Sequence, residues 1–158
     1  MHSNIRTNRA IALALACVGL ALGPSCQKTE PVKIGFVATL TGRDAELGTD
    51  CRDGALLAVE DANLEGGVEG RPVELLIRDD KQDWSKAVEA DQELARLGCQ
   101  VIVGHMTSSM CEAAMPWLST SGIAMISPTA TSEEFSGRKD HFYRTYTSTE
   151  SLASVQAS

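Results

Sequence analysis

VIVGHMTSSM, residues 101–110, starts as a buried strand and ends in a cluster of hydroxyls. Val101 to Gly104 carry the apolar, β-branched run of a strand inside a sheet. Thr107, Ser108 and Ser109 follow at once. Glu112, Ala113, Ala114 and Met115 then resume a helical composition. A strand that runs into the mouth of a helix through three hydroxyl residues has two readings. The hydroxyls cap the helix, or they line a site for a ligand.

The same alternation continues to either side. Upstream, VKIGFVAT (32–39) reads as a strand and LTGRDAELG (40–48) as a loop. A helix is expected through GTDCRDGALLAVEDANLEGG. Its inner face is read as Leu56, Val59, Ala62 and Asn63, widened by Ala55, Leu57 and Ala58. Gly66-Gly67 ends it. A strand over 72–80 comes next, then a helix capped by Asp83 or Ser85, with Ala87, Val88, Leu94, Ala95 and Leu97 as its buried stripe, stopped at Gly98. Downstream, Pro116 predicts a bent or short helix. Strands follow over 122–128 and 141–146, and Ser148 or Thr149 opens a last helix. Strands alternating with helices predict an α/β fold, a doubly wound parallel sheet with helices on both faces. In such sheets ligands sit outside the carboxyl ends of the strands. Those ends are the loops 40–48, 79–84, 104–109 and 127–134.

The chain has 158 residues, enough for one domain with a core. Its net charge of −7 and lack of a basic patch exclude nucleic acid as a partner. Residues 1–25 differ in kind: Arg6 and Arg9, an unbroken apolar run over 10–22, then GPS. This is the three-part pattern of a secretory signal peptide, and the run is shorter than the roughly 20 residues that span a bilayer. Cys26 resembles a bacterial lipoprotein processing site, although that pattern wants Leu where this chain has Gly23. A diacylated Cys26 would anchor the protein to a membrane, with 26–31 as a polar tether. Cys51, Cys99 and Cys111 show no metal or redox spacing and read as small buried hydrophobes, with one disulfide left open.

The loops lack the glycine spacing of nucleotide sites, so no cofactor is expected. Asp79, Asp80 and Asp83 lack calcium-loop spacing and read as a solvated strand end, so no metal is expected either. His105 stands near Ser108 and Ser109 without a nucleophile elbow. It reads as a structural histidine, and the chain as a non-enzyme. Binding suits the residue types better. Ser108 would donate to a carboxylate from the first helical turn, and Thr131 from the neighbouring loop. Thr129 and Ala130 would leave backbone groups approachable, while Ser109 reads as a cap.

VKIGFVATLTG, GALLAVEDANLEGGVEGRPVELLIRDDKQD, VIVGHMTSS and ISPTATSEEFSGRKDHFYRT, in this order and spacing, resemble the leucine/isoleucine/valine-type periplasmic solute-binding proteins of ABC transporters. The resemblance implies a type I periplasmic-binding fold: two α/β lobes on a hinge, closing on a ligand. It places Ser108 on the carboxylate of an amino acid, Thr131 on the carboxylate and the amino group, and Thr129 with its backbone carbonyl on the ammonium. Leu47 falls where leucine-type members carry an aromatic against the ligand. Gln82 and Thr107 stand where some members have a disulfide. Members run to more than twice this length. Residues 32–147 are therefore expected to be the first lobe and 148–158 the truncated start of the second. The implied role is delivery of an amino acid or related small carboxylate to an ABC transporter permease from the periplasm, with the protein anchored as a lipoprotein. The rival reading is the ligand-binding domain of a membrane sensor of the same fold.

Overall fold

The computed structural model describes residues 29–43 and 45–156. The expected signal peptide and Cys26 lie outside the described residues. Among the described residues, five strands alternate with four helices: β1 (Val32–Ala38), α1 (Ala45–Leu64), β2 (Val73–Asp79), α2 (Trp84–Arg96), β3 (Val101–Val103), α3 (Ser108–Ser121), β4 (Ala124–Ser127), β5 (Phe142–Arg144) and α4 (Thr149–Gln156). A single 3₁₀ turn, Glu133–Phe135, joins β4 to β5. The sheet order is β2-β1-β3-β4-β5, and every pairing is parallel. This is the expected α/β parallel sheet. The chain steps outward from β1 to β2, then returns past β1 to β3. The winding therefore reverses between β1 and β3, and a crevice opens there at the carboxyl ends of the strands.

Both faces are covered by helices. On one, α2 and α3 pack Leu94, Cys111 and Leu118 against Val37, Ile102 and Met125 of the strands, all fully buried. Each large side chain removed from water here contributes about 1.5–3 kcal/mol. On the other face, α1 covers Phe36 and Ala38 together with Met106. No helix among the described residues is long and apolar enough to cross a membrane.

Two expectations about α1 are corrected. It starts at Ala45, inside the stretch read as loop, because Gly48 lets the helix touch the end of β1. A Cβ on Gly48 would overlap the Thr39 carbonyl oxygen. Its inner face is also different. Cys51, Ala55, Val59 and Ala62 are partly buried, whereas Leu56 and Leu57 are 44% and 59% exposed. Small side chains let the helix lie close to the sheet, and the leucines turn to solvent. The cap of α2 is Asp83, whose side chain accepts from the amides of Ser85 and Lys86. Pro116 lies inside α3, which runs on for 14 residues. Ser148 accepts from the Ser151 amide at the start of α4. Cys51, Cys99 and Cys111 are free thiols. Cys51 packs on the α1 side of the sheet and the other two on the opposite side, so Cys51 has neither of them as a neighbour.

Candidate functional site

The loops after β1, β3 and β4 meet above the crevice. Gly104 permits the turn out of β3: a Cβ there would overlap the Val37 carbonyl oxygen of β1. The chain then passes His105, Met106 and Thr107 and enters α3. Thr107 is the N-cap residue, and its side chain makes no capping bond. The amides of the first turn therefore keep no side-chain partner from the cap position. Ser109, read as a cap, lies one residue inside the helix and pairs with Thr107 Oγ1 at 3.3 Å.

Ser108 is the informative residue. Its Oγ accepts from the amides of Thr131 and Ser132, both at 3.2 Å. A serine hydroxyl has two lone pairs and one proton. Both lone pairs are occupied, so what remains is a donor, set in the first turn of a helix whose dipole favours an anion.

The other expected residues gather around it in different ways. Thr129 Oγ1 donates to the Met106 carbonyl at 2.6 Å. The Ala130 side chain is fully buried in the core, and its amide donates to Ser127 Oγ at 3.1 Å. Ala130 thus offers a ligand only its carbonyl. Thr131 is half-buried, and no hydrogen bond to its Oγ1 is formed among the described residues. Its carbonyl accepts from the Thr149 amide at 3.1 Å. Leu47 stands apart from these four, in a cleft of about 350 Å³ lined by Thr39, Arg43, Glu46, Leu47, Met106 and Thr107. Met106 and Thr107 join the two regions, since they line the cleft and lead into Ser108. Thr39 and Arg43 went unread in the sequence. The position of Thr39, directly after β1 at the reversal of winding, is the signal that could have found it.

The acidic cluster at the end of β2 is a solvated strand end only in part: Asp83 is exposed, but Asp79 is half-buried and Asp80 fully buried, which corrects the expectation for those two. Asp79 Oδ1 accepts from the amides of Leu40 and Lys81, and Thr41 Oγ1 donates to Asp79 Oδ2 at 2.6 Å. Burial pushes this carboxyl up, but those bonds outweigh it and hold the group below the usual range. Asp80 is fully buried. Its Oδ1 accepts from Thr39 Oγ1 at 2.6 Å and the Gln82 amide at 3.0 Å, and its Oδ2 faces His105 Nδ1 at 2.8 Å. Here too burial raises the carboxyl, and the bonds from His105, Thr39 and Gln82 more than reverse it. His105 Nε2 faces Asp91 Oδ2 of α2 at 3.3 Å. With His105 and Asp91 both fully buried, His105 is structural, as its sequence context indicated.

Residues 31–157 match the periplasmic binding protein family. Among known proteins, the leucine-, isoleucine-, valine-, threonine- and alanine-binding protein of Pseudomonas aeruginosa is 35% identical over 133 residues, 84% of this chain and 35% of that protein. The Leu/Ile/Val-binding protein of Escherichia coli is 32% identical over 127 residues, 80% of this chain and 34% of that one. Among solved structures, the branched-chain amino acid transporter substrate-binding protein LivJ of Streptococcus pneumoniae, in complex with isoleucine, superposes with a TM-score of 0.72. It is 29% identical, and the match covers 75% of this chain and 34% of that one. A substrate-binding protein of Desulfitobacterium hafniense in complex with Leu gives 0.72 at 28% identity, over 81% of this chain and 38% of that one. The chain spans about a third of the length of the curated relatives it matches.

Proposed function

The chain belongs to the periplasmic binding protein family, and from that premise we propose that it is the first lobe of an extracytoplasmic solute-binding protein. On this reading residues 32–147 form the lobe and 148–158 open the second. The protein delivers an amino acid or related small carboxylate to an ABC transporter permease from the periplasm. Cys26, once lipidated, would hold it at the membrane. Relatives named for binding leucine, isoleucine and valine support that ligand class.

The observation that carries the reading is Ser108. A hydroxyl with both lone pairs filled, at an N-terminus without a side-chain cap, is a donor prepared for a carboxylate oxygen. Thr131 extends it from the next loop. Leu47 and Met106 give the adjoining cleft an apolar wall for a side chain, and Arg43 and Glu46 give it charge at the rim. Binding, not turnover, is the expected activity. Among the described residues, the buried imidazole near the serines, His105, has both ring nitrogens turned to carboxylates, so it is no base for Ser108 or Ser109.

Isothermal titration of the protein with L-leucine, L-isoleucine, L-valine and acetate tests the proposal. The expected result is saturable heat with at least one amino acid, weakened about tenfold or more in Ser108→Ala, as befits loss of one charge-assisted hydrogen bond of roughly 1.5–3 kcal/mol. Equal affinity in wild type and Ser108→Ala would sink the assignment of Ser108.

A further inference from the structure

The buried Asp80–His105–Asp91 cluster is not used by the ligand reading above, yet it touches every loop that reading needs. A neutral imidazole carries one N–H. Here both ring nitrogens face carboxylate oxygens, at 2.8 and 3.3 Å, with no solvent access. A neutral ring between two carboxylates would set a lone pair against an anionic oxygen. The cluster therefore holds one more proton than that, on the Nε2 side. Asp80 is the better-satisfied anion, with three donors in all. Asp91 is the looser one, since its Oδ1 is buried without any partner.

The main chain of the same residue reaches the ligand loops. The His105 carbonyl accepts from Ser127 Oγ at 2.6 Å and Cys111 Sγ at 3.3 Å. Ser127 Oγ in turn accepts from the Ala130 amide. The next residue, Met106, holds Thr129 through its carbonyl, and Ser108 holds Thr131 and Ser132. Residues 127–132 thus hang on residues 105–108. His105 is where that assembly is fixed to the rest of the sheet, through Asp80 at the end of β2 and Asp91 on α2.

We propose that His105, held as an imidazolium between Asp80 and Asp91, is a positioning residue for the loops 104–109 and 127–132. The charge on its ring fixes the geometry in which Ser108 and Thr131 meet a carboxylate. That these are ligand loops rests on the solute-binding reading. That the ring controls their geometry does not. The titratable groups facing the ring and its backbone are Asp80 beyond β2, Asp91 on α2 and Cys111 on α3. The ends of β1 and β4 contribute only the hydroxyls of Thr39 and Ser127. Burial disfavours the cation, but the two carboxylates overcome it and raise His105 to about 9. Burial pushes the Cys111 thiol up to about 11, so it stays protonated where the ring titrates.

Carbon- and nitrogen-detected NMR on the whole protein tests this without any ligand, so failure of the solute-binding reading would leave the result intact. The ring ¹⁵N shifts of His105, identified by their loss in His105→Gln, are expected to show both nitrogens protonated at neutral pH. They should titrate only on the alkaline side, and the carbonyl ¹³C shifts of Ser108, Ala130 and Thr131 should follow with the same midpoint. In Asp91→Asn, both midpoints are expected to fall together by about one unit or more, as for loss of an opposite charge at contact distance. A ring with a single proton at neutral pH would overturn the proposal. So would loop carbons that ignore the ring's titration or stay put when Asp91→Asn moves it.

Discussion

Ser127→Ala cuts one bridge between the loops 104–109 and 127–132 without altering Ser108 or Thr131. The residue is fully buried, and its hydroxyl both donates to the His105 carbonyl and accepts from the Ala130 amide. Two hydrogen bonds at about 1 kcal/mol net each are lost. The His105 carbonyl keeps the Cys111 thiol, but the Ala130 amide is left buried and unpaired, a further penalty of about 1–3 kcal/mol. The expected loss is about 3–5 kcal/mol, a large part of the roughly 5–15 kcal/mol that holds a domain together. Equilibrium urea unfolding followed by far-ultraviolet circular dichroism measures it. With a slope of about 2 kcal/mol per molar urea, the midpoint should fall by roughly 1.5–2.5 M at unchanged slope. Ser119→Ala is the control. That hydroxyl is exposed and bonds back to the Pro116 carbonyl of its own helix, so its removal should stay within about 0.5 kcal/mol. A Ser127→Ala loss below about 1 kcal/mol would refute the reasoning, because the two loops would then not depend on that bridge.

Leu94→Ala should cost about 3–5 kcal/mol in the same assay, since a fully buried side chain between α2 and the sheet leaves a cavity. Gly48→Ala should cost about 1–3 kcal/mol, because its new Cβ meets the rigid Thr39 carbonyl instead of a movable side chain. Stability should also depend on alkaline pH. His105 is raised from 6.5 to about 9 on folding, so its contribution is fully present below 6.5 and lost as pH rises through about 9. Urea midpoints measured across that range should fall on the alkaline side, and the fall attributable to this ring should be missing in His105→Gln.

Much of this architecture is legible in local sequence. Each strand of β1 to β5 lies within a stretch whose β-branched run or turn signals mark it, and Asp83 announces α2 as a cap. The position of the hydroxyls after Gly104, between a strand and a helix, was readable for the same reason, but their capping was not: Thr107 holds the N-cap position without a side-chain bond, and Ser109 lies inside the helix. The losses have physical causes. Gly48 looked like a loop glycine, yet its role is a close approach to β1, which depends on a strand ten residues earlier. Leu56 and Leu57 looked like core because they are large and apolar, but the sheet admits only the small side chains of Cys51, Ala55 and Ala62 at that distance. Asp80, His105 and Asp91 come from three different elements. Nothing in the spacing of two surface-like aspartates and a loop histidine shows that they meet in the dark interior. The joining of Ser108 to Thr131 is likewise a tertiary fact. Residue types suggested each as a donor, but only the fold fills the lone pairs of Ser108 and leaves its proton to give.

The central claim is that the first turn of α3, with Ser108, receives a carboxylate. The most direct test is an amide NMR titration at neutral pH with L-leucine and, separately, with L-leucinamide, which keeps the side chain and ammonium but lacks the anion. The account predicts that L-leucine shifts the amides of Ser108, Ser109 and Thr131 in a saturable way and that L-leucinamide does not. Equal shifts from both compounds, or saturable shifts elsewhere that spare these three amides, would contradict it.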